Sequence, residues 1–192
     1  MDIVRCFVAV FLNPSLHRDI AVLQKKLSYS GADIKWVDPS NLHFTLQFLG
    51  DVKTARIPSI TNALKECVSL SYRFELELDG IGAFPSLLKP RVLWVGVGAG
   101  REQLVSLMSQ VREAMKMEGF AQDSKGSSPH LTIGRVRSCK NLKGLLDKLN
   151  SDINVKGKME VTEIQFTASE LTPRGSIYSP IDVIPLRLHP EI

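Results

Sequence analysis

The chain carries His-x-Thr twice, as His43-Phe44-Thr45 and as His130-Leu131-Thr132, each inside an apolar alternation. Nothing else in the sequence restricts the fold as strongly. Read as strands, the period of two sets His43, Thr45 and Gln47 on one face and Phe44, Leu46 and Phe48 on the other. The second copy repeats the scheme, with His130 and Thr132 facing one way and Leu131 and Ile133 the other. A fold that satisfies both must anchor two strands by their apolar faces while turning an imidazole and a hydroxyl from each into a shared cleft. The chain has 4 His, and chance placement beside its threonines predicts about 0.15 such pairs where two occur. One copy alone reads most simply as a strand histidine bonded locally. Two copies 87 residues apart, with matching polarity on both sides, point to an acid–base site acting on a phosphate.

At 192 residues the chain holds either one large domain or two small lobes, with ample core in both cases. The net charge of +4 favours polyanionic partners without requiring them. Cys6, Cys67 and Cys139 are far apart and lack metal-type spacing, which fits reduced thiols in a cytoplasmic protein, with Cys6 and Cys139 read as buried and structural. No apolar run reaches the roughly 18 residues of a membrane span, and the first residues read straight into a strand, so neither a membrane segment nor a secretory signal is expected.

In chain order, 3–12 is β-rich and contains Arg5, which reads equally as a strand-end surface residue and as the lining of an anion site. Asn13-Pro14-Ser15 opens a helix whose stripe is Leu16, Ile20, Leu23 and Leu27, with His17 on its surface. A short strand over 33–37, carrying Lys35 and Trp36, and the turn at 38–41 lead into the first motif strand. Ile57, Ile60, Leu64 and Val68 follow helical spacing, with Pro58 confined to the first turn. A strand over 72–78, a Gly/Pro-rich loop over 80–90 and a strand over 91–97 precede a helix marked by Leu104, Met108, Val111 and Met115. The segment 119–129 reads as a mobile approach to the second motif. Leu142, Leu145, Leu146 and Leu149 mark a further helix, and strands over 161–168 and 177–186 flank a turn at 172–175. Gly96-Val97-Gly98-Ala99-Gly100 lacks the Gly-Lys-Ser/Thr ending of a phosphate loop. The pattern predicts an α+β fold, with helices on the outer faces of two sheets.

Opening a cyclic phosphodiester with water takes a base to activate the nucleophile and an acid to protonate the departing alkoxide. Imidazole serves as either, because its ordinary pKa of about 6.5 leaves both forms accessible near neutrality. The threonine two residues along faces the same cleft and can donate to a non-bridging oxygen, where negative charge builds. Arg5, Arg135 or Lys35 would add positive charge, and this logic calls for no metal and no cofactor. A metal hydrolase would want a ligand cluster that the four histidines do not form. A serine hydrolase would want a Gly-x-Ser-x-Gly elbow. A non-catalytic RNA-end-binding module would account for the basic charge and for Trp36, Phe84 and Trp94, but not for two matched strands. Among those aromatics Trp94 reads as core packing and Phe84 as the better stacking candidate, since it lies in the Gly/Pro-rich stretch.

These residues resemble the 2H phosphoesterase superfamily, and within it the bacterial and archaeal RNA 2′,3′-cyclic phosphodiesterases, also called 2′-5′ RNA ligases. The resemblance covers nearly the whole chain. It runs through Arg5 to Ala9, Trp36-Val37, Asn41 to Gly50, Phe84-Pro85, Arg91 to Trp94 and Pro129 to Arg135. It implies a single bilobal domain over 1–192, in which two antiparallel sheets face a central cleft with helices outside and pseudo-two-fold symmetry. One lobe would hold both termini and the other the middle of the chain. It further implies His43 as the acid that protonates the 3′-oxygen and His130 as the base that activates water, leaving a 2′-phosphate. Thr45 and Thr132 match its phosphate-contacting positions. Arg135 and Arg5 are expected at the phosphate, and Phe84 and Trp36 at the substrate. The expected partner of a monomeric protein is RNA ending in a 2′,3′-cyclic phosphate, tRNA fragments included, and ATP-independent 2′-5′ joining would be the reverse use of the same imidazoles.

Overall fold

The computed structural model describes residues 2–121, 128–150, 155–173 and 175–189. The middle of the expected mobile approach, 122–127, lies outside them. In chain order the elements are β1 (Ile3–Phe11), α1 (His17–Ser28), β2 (Ile34–Trp36), β3 (His43–Lys53), α2 (Ile57–Val68), β4 (Phe74–Phe84) and β5 (Val92–Val97). There follow α3 (Arg101–Met117), β6 (Leu131–Val136), α4 (Leu142–Leu149), β7 (Gly157–Val161), β8 (Glu163–Thr172) and β9 (Gly175–Pro185). The Asn13 side chain accepts from the Ser15 N–H and starts the turn that leads into α1. Pro58 sits in the first turn of α2, where its missing N–H costs nothing.

All strand pairings are antiparallel and join into one sheet, ordered β7-β4-β5-β6-β3-β1-β8-β9, with β2 on the free part of β6. The two halves expected as separate sheets meet at a single residue pair, Phe44 with Leu131. From that pair outward, β3, β1, β8 and β9 mirror β6, β5, β4 and β7. The first half is built from the two ends of the chain and the second from its middle. Each repeat hands its last strand across: β4 pairs with β5 of the second half, and β8 pairs with β1 of the first. The helices follow the same symmetry, α2 against α3 and α1 against α4.

One face of the sheet carries the core. Val8, Val10, Phe44, Leu46, Leu93, Val95, Leu131 and Ile133 are buried there against the apolar stripes of the helices, such as Ile20, Leu27, Ile60, Leu64, Leu104 and Val111. Two stretches differ from the sequence reading. The strand expected to stop at Leu78 runs on to Phe84, because Gly80 is taken up as a bulge and Ile81 to Phe84 pair with β5 instead of forming a loop. A strand over Gly157–Val161 was not expected; its alternation is short and polar and is decided by pairing with β4.

Candidate active site

The Phe44–Leu131 pair sits on the core face, so the residues on either side of it face the opposite, concave surface. Continuing the antiparallel register one step sets His43 opposite Thr132 and Thr45 opposite His130. The two motifs therefore lie crosswise about the pseudo-two-fold axis. His43 and His130 are diagonal neighbours, a relation that spans about 7–8 Å in a regular ladder, suited to a phosphate between them. Each ring is locked in the same way. Nδ1 of His43 lies 2.7 Å from the Asn41 carbonyl, and Nδ1 of His130 lies 2.9 Å from the Ser128 carbonyl. A carbonyl can only accept, so Nδ1 donates in both rings, and Nε2 is left to give or take a proton at the site.

The strands do not continue as plain alternation past the motifs. Leu46 and Ile133, each one residue beyond the motif threonine, are the extra residues of β-bulges against β1 and β5. Both carbonyls accept from long side chains of facing helices, and that of Ile133 accepts from the Val37 N–H as well. Gln24 of α1 donates to the Ile133 carbonyl at 3.0 Å and to Val37 at 2.8 Å, and Arg112 of α3 donates to the Leu46 carbonyl at 3.2 Å. The bulges redirect the residues beyond them. Gln47, expected beside His43 and Thr45, turns into the buried side and donates to the Ala121 carbonyl, while Phe48 comes out onto the concave face opposite Phe7. Arg135, which unbroken alternation would set away from Thr132, shares its face because Val92 and Trp94 pair with Arg135 and Thr132. Lys35 pairs with Arg135 at the same mouth. Arg5 does not join this cluster. It pairs with Asp51, six residues along β1 from the Phe11–His43 pair, about 20 Å at 3.3 Å per residue.

Aromatic rings surround both histidines. Phe7, Phe11 and Tyr178 stand 4.9, 5.4 and 5.4 Å from the His43 ring. Phe84 meets His130 edge-on at 4.9 Å and Trp94 lies at 6.4 Å. Phe84 thus stands against His130, from a strand end and not from the expected loop. Trp94, read as core packing, lies on the concave side, over Gly82; a Cβ at that glycine would stand 2.1 Å from the indole. Trp36 is corrected. It pairs with Gly134, which shares its face with the buried Leu93, so the indole packs on the core and not in the cleft.

Burial above all holds His43 below the ordinary histidine pKa; the Asn41 carbonyl pulls the other way, and the charges of His130 and Arg135 push down again. Among the described residues no group of three or more His, Cys, Asp or Glu stands close enough to hold a metal ion.

The internal symmetry has a counterpart in the comparison with known families. The family described as LigT like phosphoesterase matches residues 10–94 and again 95–178. The chain belongs to this family. It is 35% identical over 188 residues, 95% of this chain and 99% of the other, to a Methanothermobacter thermautotrophicus protein named RNA 2′,3′-cyclic phosphodiesterase. A protein of the same name from Archaeoglobus fulgidus is 37% identical over 180 residues, 93% of this chain and 98% of the other. The solved structure of E. coli LigT complexed with 3′-AMP shares the fold, with a TM-score of 0.79 at 24% identity over 96% of this chain and 99% of that one. The chain is a phosphoesterase of this family, and no helix among its described residues is long and apolar enough to cross a membrane.

Sequence reasoning missed Phe7, Phe11, Tyr178, Gln24 and Arg112. The first two carry a legible signal, an odd-numbered set with Arg5 and Ala9 on the face opposite Cys6, Val8 and Val10. Tyr178, Gln24 and Arg112 carry none, because their partners are 135, 109 and 66 residues away.

Proposed function

We propose that this protein hydrolyses the 2′,3′-cyclic phosphate at RNA 3′ ends to a 2′-phosphate, using His130 as base and His43 as acid, without a metal. The observation that carries this reading is the crosswise pair of imidazoles, both with Nδ1 engaged and both with Nε2 left for the site. Water attacks phosphorus as its proton passes to Nε2 of His130; the bond from phosphorus to the 3′-oxygen breaks, and that oxygen takes the proton from Nε2 of His43. Thr45 and Thr132 donate to the non-bridging oxygens, and Arg135 supplies charge from the same face. The 5′-hydroxyl of a second RNA in place of water would give a 2′-5′ linkage with no ATP. The named relatives and the net charge of +4 support an RNA substrate; that tRNA fragments are among its substrates and that it acts as a monomer in the cytoplasm are part of the proposal.

His43 must carry a proton to act as acid, and burial disfavours its charged form. The negative phosphate supplies the compensation, since an anion beside a buried imidazole favours its charged form. The same burial favours a second reading, in which His43 is the base and His130 the acid; leaving-group chemistry separates the two.

The test is hydrolysis of a 2′,3′-cyclic oligonucleotide in excess chelator. Turnover is expected to persist, to yield the 2′-phosphate, and to fall about 10²–10⁴-fold in His43→Ala and in His130→Ala. Loss of activity in chelator, restored by one divalent metal, would overturn the metal-free mechanism. Unchanged RNA binding with no turnover in the wild-type protein would make it an RNA-end-binding module instead.

A further inference from the structure

Each imidazole is oriented by the main-chain carbonyl two residues before it, and each of those residues is itself held by its side chain. Ser128 Oγ accepts from Nη2 of Arg101, at the start of α3, at 3.3 Å and in an exposed position. Asn41 is held differently. Its Nδ2 donates to the Ser176 carbonyl of β9 at 2.9 Å, in a part-buried bond between residues 135 positions apart. In the sheet β1 and β8 lie between β3 and β9, so this bond spans two intervening strands and ties β9 to the entrance of β3.

The turn Pro39–Asn41 that leads into β3 does not need this side chain. A turn asparagine or aspartate ordinarily bonds its own neighbouring backbone. Here Asp38 does so, accepting from the Ser40 N–H at 2.9 Å and from the Ser40 hydroxyl at 2.6 Å. Asn41 instead reaches β9 with its amide and His43 Nδ1 with its carbonyl, at 2.7 Å. Both groups hang from one Cα, so pinning the amide restricts where the carbonyl points. The far end of the tie matters as well. Tyr178 shares a face of β9 with Ser176, and its ring stands edge-on to His43, 5.4 Å away at 84°. One hydrogen bond thus fixes both the acceptor for Nδ1 and the ring on the flank of His43. The Nδ1 bond of His43 is also less exposed than that of His130, so water is a poorer substitute for the carbonyl there.

We propose that Asn41 is a positioning residue for the reaction: by gripping the Ser176 carbonyl it fixes the carbonyl that orients His43, and so sets the tautomer and the aim of Nε2 toward the phosphate. The inference rests on His43 acting in acid–base catalysis and adds the group that keeps it in place. Asn41 acts through His43 and not on the reacting atoms. His130, held by Ser128, is independent of it.

The experiment combines a double-mutant cycle with the imidazole nitrogen chemical shifts of the substrate-free protein, recorded with both rings neutral. Asn41→Ala is expected to lower kcat for a 2′,3′-cyclic oligonucleotide about 10–100-fold. Adding Asn41→Ala to His43→Ala should cost nothing further, because the group that it positions is already gone. In the spectrum, His43 should change from the single Nδ1–H tautomer to a mixture, while His130 stays as in the wild type. Asn41→Ser, which suits the turn but is too short to reach Ser176, repeats the comparison if Asn41→Ala fails to fold. An unchanged His43 tautomer, equal changes in both rings, or losses that multiply in the double variant would each overturn the proposal. If the wild-type protein opens no cyclic phosphate, the proposed reaction fails, and the tautomer comparison still decides the role of Asn41.

Discussion

At the scale of single residues, His43 carries the sharpest consequences. Its pKa is held below the ordinary 6.5, mainly by burial, so between 6.5 and the folded value the unfolded chain binds the extra proton. Stability from this group is therefore complete above 6.5 and is lost on acidification through that window. His43→Asn should flatten the dependence of unfolding free energy on pH below 6.5, measured by urea denaturation at several pH values. The same shift bears on catalysis. With His43 as acid, the basic limb of kcat/KM falls below pH 6.5, while the basic limb of kcat lies higher because bound phosphate favours the imidazolium. The two imidazoles influence one another, so the limbs describe the pair. A substrate with a good leaving group in place of the 3′-oxygen should rescue His43→Ala far more than His130→Ala. Rescue of His130→Ala alone would exchange the acid and base roles.

At the scale of elements, the bulges after the two motifs decide which side chains reach the cleft. The strand pattern made His43, Thr45, His130 and Thr132 legible as cleft residues, because alternation holds as far as each threonine. It failed one residue later, at the bulged Leu46 and Ile133, whose carbonyls accept from the helix side chains of Arg112 and Gln24, that of Ile133 also from the Val37 N–H. Gln47 was misplaced for that reason. Arg135 shares the cleft face only because of the bulge. Gln24→Met keeps the length of the side chain and removes both donors, leaving the Ile133 and Val37 carbonyls without this partner. The expected cost is about 1–3 kcal/mol of stability. If the bulge aims Arg135, KM for a cyclic oligonucleotide rises as well, at a temperature where the variant is fully folded. A stability loss with unchanged KM would restrict Gln24 to holding α1 on the sheet.

At the scale of the whole molecule, one residue pair joins β3 to β6 and so closes the two halves into one sheet. Leu131→Ala should cost about 2–5 kcal/mol as a core truncation. It should also lower turnover beyond the loss of folded protein, since both histidines flank that pair; denaturation and single-turnover rates together separate the two effects. The thiols give a check on the packing. Burial raises Cys6 and Cys67 to about 11, while Cys139, expected to be buried, is exposed beyond β6. A thiol reagent at pH 8 should therefore label Cys139 rapidly in the folded protein and the other two only on unfolding.

The amino-acid sequence alone determined the α+β class, the four helices and the two His-x-Thr strands, because hydrophobic period and turn residues act over a few positions. Local pattern also sufficed to assign both histidines and both threonines to one face of their strands. Tertiary structure decided the rest. That the two strands meet at Phe44 and Leu131, so that each histidine faces the other motif's threonine, depends on a register between segments 87 residues apart. Trp36 went to the core and Trp94 to the cleft, although both stand in apolar strands with β-branched neighbours. What separates them is the face of β6 against which each is pressed, and that face is set by the bulge at Ile133 and by Gly134, where the backbone has no side chain to hold the indole of Trp36 away. Arg5 lies on the cleft side of β1 yet stays far from the site, because alternation specifies a face and only strand register specifies a distance along it.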